Sequence, residues 1–468
     1  MGKYGKHLLK ALAIAIPFAL GTAGYLLAGE SIIQSMYLCV GLYGLECSEE
    51  PANLLIEFAR WLAPLATAGA VLMIANRLRR MLSRMIARST GASVAVFGPK
   101  DEKTPMLKAL GKRGIDMEDT PVKAHSYILI GEEKENLDFY REHLADSGRE
   151  VFVRCSSLPA QASNRDKLHL FCPEEMAARI FWDRFCPYER SVANDHQMTI
   201  VLIGFEKLGR QILLTALQNN IFDTAQHIAY HVIGQDSGFT QVYQQLAQIE
   251  DPVIFHEEPW FDALPLIGQA QMVIVAQQVE QLDLLNQLKL ALGDKPLYVF
   301  SAQQDGAAFL AENNWICFDW KQEAMQPDNI LCDKLYRYAK RLNLRYAHLY
   351  NGTPETDKAR DAEWRALNTF TRYSNISAAD YHGVQLKMLD GQTLTDEKLE
   401  WLAELEHIRW CRYHYLNNWR HGTPENGKNK DNARRIHTCL VPYSLLSEAE
   451  KEKDRENIRL LMKLDGEI

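Results

Sequence analysis

The sequence predicts an α/β protein in three parts: a two-helix membrane-spanning N-terminus, two doubly wound parallel-sheet modules, and a mainly helical C-terminal domain. Three observations carry this. Two apolar stretches lie close together near the N-terminus, strand, glycine turn and helix then recur in that order, and a helical run rich in Trp, Tyr and His closes the chain. The length of 468 residues suits about three folded units at roughly 150 residues each. With 47% apolar and 24% charged residues the composition is globular, which excludes a wholly disordered or collagen-like chain. A net charge of −8 lacks the broad basic field that nucleic acid requires, so no nucleic-acid partner is expected.

Residues 1–90 read as a transmembrane hairpin. Residues 11–29 are uncharged and mostly apolar, long enough to span at ~1.5 Å per residue. Residues 61–76, extended by Leu54, Leu55, Ile56 and Phe58, form a second span. A removable secretory signal fits less well, because the first apolar run exceeds a usual signal core and a second follows closely. Lys3, Lys6 and Lys10 precede the first span and Arg77, Arg79, Arg80, Arg84 and Arg88 follow the second, so both termini and the main body are placed in the cytoplasm, in a multi-pass protein of the inner (plasma) membrane. Seven of the nine cysteines follow residue 150, where a reducing compartment keeps them as thiols. Cys39 and Cys47 fall in the external connection, where a disulfide can form.

Between the spans, Ser31 to Leu45 is apolar but too short to cross, the length of a re-entrant pore segment, which would need several subunits around it. Val40, Gly41, Leu42, Tyr43 and Gly44 resemble the potassium-channel filter, with Gly41, Tyr43 and Gly44 as pore residues. An extra residue between Gly41 and Tyr43 and the lack of a preceding Thr depart from that pattern. The alternative is a hydrophobic loop around a simple hairpin anchor.

Residues 91–195 and 196–320 each read as a Rossmann-like module. The first begins with SVAVFG (Ser93–Gly98) and continues through SYILIG (Ser126–Gly131) and VFVR (Val151–Arg154). Its turn retains only Gly98 of a phosphate loop, which predicts a structural role. The second begins with TIVLI (Thr199–Ile203) and the turn Gly204, Phe205, Glu206, Lys207, Leu208, Gly209. Gly204, Gly209 and the later Asp236 mark a candidate dinucleotide site, but Glu206 replaces the middle glycine and sets a carboxylate against pyrophosphate. The cofactor is left open. Paired modules behind a two-span unit resemble the RCK or Trk-type (TrkA-N-like) regulatory domains of potassium channels and transporters, and the resemblance implies a homo-oligomer, a tetramer favoured, with a ring of modules beneath a pore.

Residues 321–394 read as a helical connector and 395–468 as a separate domain of helix, long polar loop and helix. Glu406, His407, Arg409, Trp410, Trp419, Gly422, His437, Leu440 to Tyr443, Leu446, Glu450, Lys451, Asp454 and Arg455 match the RyR repeat of ryanodine receptors and related bacterial proteins. Glu406, Trp410 and Tyr413 share a helix face. Trp410 and Trp419 could stack a base while His407, Arg409, His437 and Arg455 neutralise a phosphate, giving a nucleotide-like ligand; the alternative is ordinary core packing. His407, Cys411 and His414 have a spacing compatible with zinc, but isolated clusters of this kind usually hold nothing, and no metal is expected. No nucleophile, Walker or paired-carboxylate motif is present, so the chain is read as a non-enzyme. The leading reading is a ligand-gated, channel-like membrane protein whose cytosolic domains bias a pore. A non-conducting membrane-anchored sensor or scaffold, of the defence-type signalling that bacterial RyR modules resemble, is second. A membrane-tethered NAD-dependent enzyme is third.

Overall fold

A computed structural model of the chain describes residues 3–46, 53–156, 167–277, 281–293, 295–301, 315–331, 334–425 and 427–465, in two compact units, Met1–Ser93 and Val94–Ile468. The first unit is three helices, α1 (Lys3–Leu27), α2 (Ile32–Tyr43) and α3 (Leu54–Ser89). Small residues let them approach. A Cβ on Gly21 would lie 2.6 Å from Cys39 Sγ, and one on Gly24 would lie 2.7 Å from Ile56 Cγ1 and 2.9 Å from Ile56 N. Asn53 pins the same crossing: its Oδ1 accepts from Leu55 N and Ile56 N to cap α3, while its Nδ2 donates to Gly24 O at 2.8 Å. By length and composition α3 is long and apolar enough to cross a membrane, whereas Leu12–Leu27 and α2 are shorter apolar helices.

The filter-like stretch takes a different form from the one its glycines suggest. Ser31 Oγ accepts from Gln34 N and starts an ordinary α-helix, so Gly41 and Tyr43 are helical and Gly44 caps it at φ −95°, outside the left-handed region. The carbonyls of this last turn are taken up nearby, Gly41 O by Gly44 N and Glu46 N, Leu42 O by Leu45 N and Tyr43 O by the Thr67 hydroxyl. The Tyr43 hydroxyl donates to Ile14 O at 2.5 Å, and the buried Cys39 thiol lies 3.3 Å from Phe18 O as a free cysteine. Cys47 lies outside the described residues.

In the second unit, β1 (Val94–Phe97), β2 (Gly114–Asp116), β3 (Ser126–Leu129), β4 (Glu150–Arg154) and β5 (Leu168–Phe171) form an all-parallel sheet in the order β2-β1-β3-β4-β5. The second sheet comprises β6 (Gln197–Ile203), β7 (His227–Ile233), β8 (Val253–His256), β9 (Met272–Val275), β10 (Leu297–Ser301) and β11 (Trp315–Asp319). Its order, β11-β10-β9-β6-β7-β8, is the doubly wound 3-2-1-4-5-6 arrangement read from its own first strand. The predicted strands are present. Those that sequence reading omitted, β2, β5, β8 and β11, are short or lie at sheet edges, where the apolar run is weakest.

The first sheet leads to the second through α4 (Pro173–Arg184), whose Phe181 ring packs on Phe300 at 4.6 Å and whose Trp182 Nε1 donates to Ile212 O at 2.9 Å. One hydrophobic core continues from Val94 through both sheets to Tyr443 and Ile458. We expect Gly24→Val to wedge α1 from α3 and cost about 1–3 kcal/mol, by overpacking. Gly69→Ala, where an added Cβ meets nothing within 4 Å, should leave the melting temperature of the detergent-solubilised protein unchanged.

Candidate functional site

Thr395 accepts from Lys398 N to cap a helix from Asp396 to Leu416, denoted αR here, which carries most of the candidate residues. It is buried on nearly every side, charged residues included. Each buried charge therefore needs a partner. Arg409, 1% exposed, is held by Glu406 through two bonds of 2.8 Å and donates to Ser377 Oγ at 3.0 Å, while Asn457 donates to Glu406 Oε1. Arg412 meets Asp251 at 2.7 Å and also donates to Leu217 O at 3.3 Å. The remaining capacity of Asp251 is filled by Ile228 N and by Gln226 Nε2, both at 2.7 Å. This pair ties αR into the β7–β8 connection of the second sheet.

His407 places Nε2 2.9 Å from Val441 O and Nδ1 3.3 Å from Asp454 Oδ2, so both ring nitrogens face acceptors and both carry hydrogen. Burial works against the charge, but the bonds to Asp454 and Cys411 prevail and lift His407 to about 10. The Cys411 thiol lies 3.4 Å from Nε2. His414 is the reverse case: burial pushes it down to about 3, and Nδ1 donates to Trp410 O at 2.8 Å. Burial, then Lys430, pushes His437 down to about 4; its Nδ1 accepts from Cys439 N at 3.1 Å.

The two tryptophans do not offer open stacking faces. His407 and His414, one turn before and one turn after, lie over Trp410 with ring centres at 5.7 and 3.9 Å, and His437 meets it edge-on at 4.9 Å. Trp419 is buried and stacked on Phe370 at 5.2 Å. The two arginines expected as anion partners have carboxylate partners within the protein. Arg409 is consumed by Glu406, and Arg455 is surrounded by Glu400, Glu448 and Glu452, with Nε 2.5 Å from Glu400 and Nη1 3.0 Å from Glu452. Of the six residues expected to bind ligand here, Trp410, His437 and Arg455 are half-buried and the other three are buried.

In the second sheet Gly204 turns at φ 94° because a Cβ would come within 2.7 Å of Gln277 N, and Gly209 sits against the Gly204 carbonyl. These are the close approaches of a β-turn-α start. Beside them, however, Phe205 is buried against Phe239 at 5.2 Å and Phe255 at 5.0 Å. Exposed Glu206 stands at the N-cap of the helix Lys207–Asn219. Asp236 is bound into a local turn, accepting from Thr240 N at 3.0 Å and from the Thr240 hydroxyl. That turn leads to Val242, whose carbonyl accepts from Asn418 Nδ2 at 2.8 Å, a second tie to the C-terminal domain. Among the described residues no three His, Cys, Asp or Glu side chains converge as a metal site; His414 is turned to Trp410 O and away from the His407–Cys411 contact.

Two doubly wound sheets bearing a C-terminal helical domain with a built-in charged helix define the class of the Val94–Ile468 unit. Residues 382–464 match the RyR domain family, and this part of the chain is called the RyR domain below. No curated protein sequence matches the chain. Similar solved structures include GsuK bound to ADP, at 12% identity and a TM-score of 0.37 over 71% of this chain and 98% of that one, and a GsuK mutant at 9% identity and 0.37 over the same shares. L-tryptophan dehydrogenase from Nostoc punctiforme is similar at 8% identity and 0.27, over 70% of this chain and 88% of that one. These are distant likenesses, and none supplies a ligand or an activity for this chain.

Two outcomes follow from the site. Arg412→Ala strands Asp251 in the core and should cost about 3–5 kcal/mol in chemical denaturation. His414 and His437 take up protons near 6.5 when unfolded but only at about 3 and about 4 when folded, so the unfolded state binds more protons between these values. Stability should therefore fall as pH is lowered from 6.5 towards 4. His407 acts oppositely: its contribution is complete below 6.5 and is lost as pH rises through about 10. Melts of wild type and His407→Gln across that range check the second half.

Proposed function

We propose that this chain is a membrane-bound, homo-oligomeric ligand sensor of channel-like architecture, in which the RyR domain responds to a nucleotide-like ligand and passes the response to RCK-like modules that bias a pore. It works by binding and coupling, with no catalytic step. The observation that carries this is the buried Arg412–Asp251 pair. A sensor can shift a distant equilibrium only if its own conformations differ in energy for the receiving element. A buried ion pair supplies that difference, because it tolerates little displacement before leaving a charge unpaired.

Membrane attachment is supported by the first unit, whose outer surfaces expose Ile14, Ile16, Leu27, Leu65, Leu72 and Ile74, an apolar array larger than scattered surface residues. The charge distribution supports cytoplasmic termini in an inner-membrane protein, and the resemblance to RCK assemblies supports a tetramer. One observation favours a second reading, a non-conducting anchored sensor: α2 is a closed helix with no filter-like backbone.

Ion flux from liposomes holding the full-length protein, measured against a nucleotide panel, separates the two. Ligand-dependent flux is expected for the channel, and binding without flux for the anchor. In either case the paired change Arg412→Met with Asp251→Leu, which removes both charges together, should leave ligand affinity within about threefold while reducing the flux response at least tenfold. Unchanged flux in that variant would remove the coupling role of the pair.

A further inference from the structure

With Arg409 and Arg455 neutralised internally and both tryptophans covered, an anionic ligand of the RyR domain must be met elsewhere. The long loop forms a small three-stranded sheet from Arg420–His421, Lys430–Asp431 and Ile436–His437. Its register is informative. His437 is paired with Lys430 on one side and with His421 on the other, and residues paired in register share a face. One face therefore presents a row of His421, His437 and Lys430, and the other presents Arg420, Ile436 and Asp431. His437 is the middle of the row, on the central strand, and is set edge-on against Trp410. Its Nδ1 is occupied by Cys439 N–H, so Nε2 carries the ring hydrogen and is a donor at neutral pH.

The surroundings of His437 are cationic. Lys430 and Lys453 both act on it electrostatically, alongside His407, with Glu450 as the opposing charge. Glu450 is itself bound by Lys453 at 2.7 Å and by Asn429 at 3.3 Å. Lys430 and His421 are exposed. Three nitrogen donors on neighbouring strands, about 4.8 Å apart from strand to strand, suit a tetrahedral group with several oxygens better than a planar carboxylate with two.

We infer that the face formed by His421, His437 and Lys430 is an anion site for the phosphoryl group of a small ligand, either inorganic phosphate or a nucleotide monophosphate ester. This deepens the sensor reading and rests on it for the link to a pore, but binding is testable without any flux. Recognition is of the phosphoryl group, and the base is not stacked by Trp410.

The test is calorimetric titration of the full-length protein in detergent with inorganic phosphate, AMP and adenosine. Phosphate and AMP should bind and adenosine should not; comparable affinities for the first two assign binding to the phosphoryl group alone, and tighter AMP binding adds a contact for the nucleoside. Lys430→Glu should weaken both anions at least tenfold with an unchanged melting temperature, since the side chain is exposed. Arg420→Glu makes the same charge change on the opposite face of the same sheet and should alter affinity less than twofold. Equal losses in the two variants would reduce the effect to general electrostatics and overturn the site. AMP bound equally by wild type and Lys430→Glu would overturn it while leaving the sensor reading intact, and adenosine binding as well as AMP would overturn phosphoryl recognition.

Discussion

The Val94–Ile468 unit depends on how the charges of αR are neutralised once that helix is buried. Glu406, His407, Arg409 and Arg412 all lie inside, and an isolated ion there would cost several kcal/mol. Two of the four are answered nearby, Arg409 by Glu406 one turn away. Arg412 and His407 are answered by distant residues, Asp251 before β8 and Asp454 on the last helix (Glu448–Asp465). The helix thus has no neutral state of its own. It becomes a tolerable core element only when the second sheet is in place on one side and the last helix on the other, which makes the RyR domain part of the α/β body and denies it a free hinge.

The elements whose signal is local were legible in the sequence. The sheets were legible because parallel strands buried on both faces are continuous apolar runs, as in TIVLI and SVAVF, and because Gly98 and Gly204 mark turns where a side chain would collide with the neighbouring strand. The RyR domain was legible because its Trp, His and Pro positions stand at fixed distances across a variable loop. The filter-like stretch is helical because the Ser31 cap and the apolar run after it favour a helix, a preference that Gly41 and Gly44 alone do not reveal.

The site was less legible, for a specific reason. Arg409 and Arg455 look like ligand partners by residue type alone. Glu406 three residues before the first and Glu452 three before the second were visible signals that each would be consumed by its own helix. Asp251, Ser377 and Asn457 could not be found that way, since they reach αR only through the tertiary fold. Aromatic spacing was equally ambiguous. Trp410 has the spacing of a stacking face, but the residues one turn on either side of it are histidines, and both rings lie over the indole, His407 as an imidazolium and His414 as a neutral imidazole.

The arrangement of protons around Trp410 then limits what a ligand can do. His407 is charged and already balanced by Asp454, while His414 and His437 are neutral because burial disfavours a proton on either. An anion approaching from the core side would meet Glu406 and Asp454, both committed. Approaching along the small sheet, it meets the His437 Nε2 hydrogen and Lys430, with Lys453 behind. On the proposed anion site, a response of the domain would begin at that sheet and reach αR through His437 and Trp410. The Arg412–Asp251 pair is the contact through which αR would pass it to the second sheet, since displacing a buried pair leaves a charge unpaired.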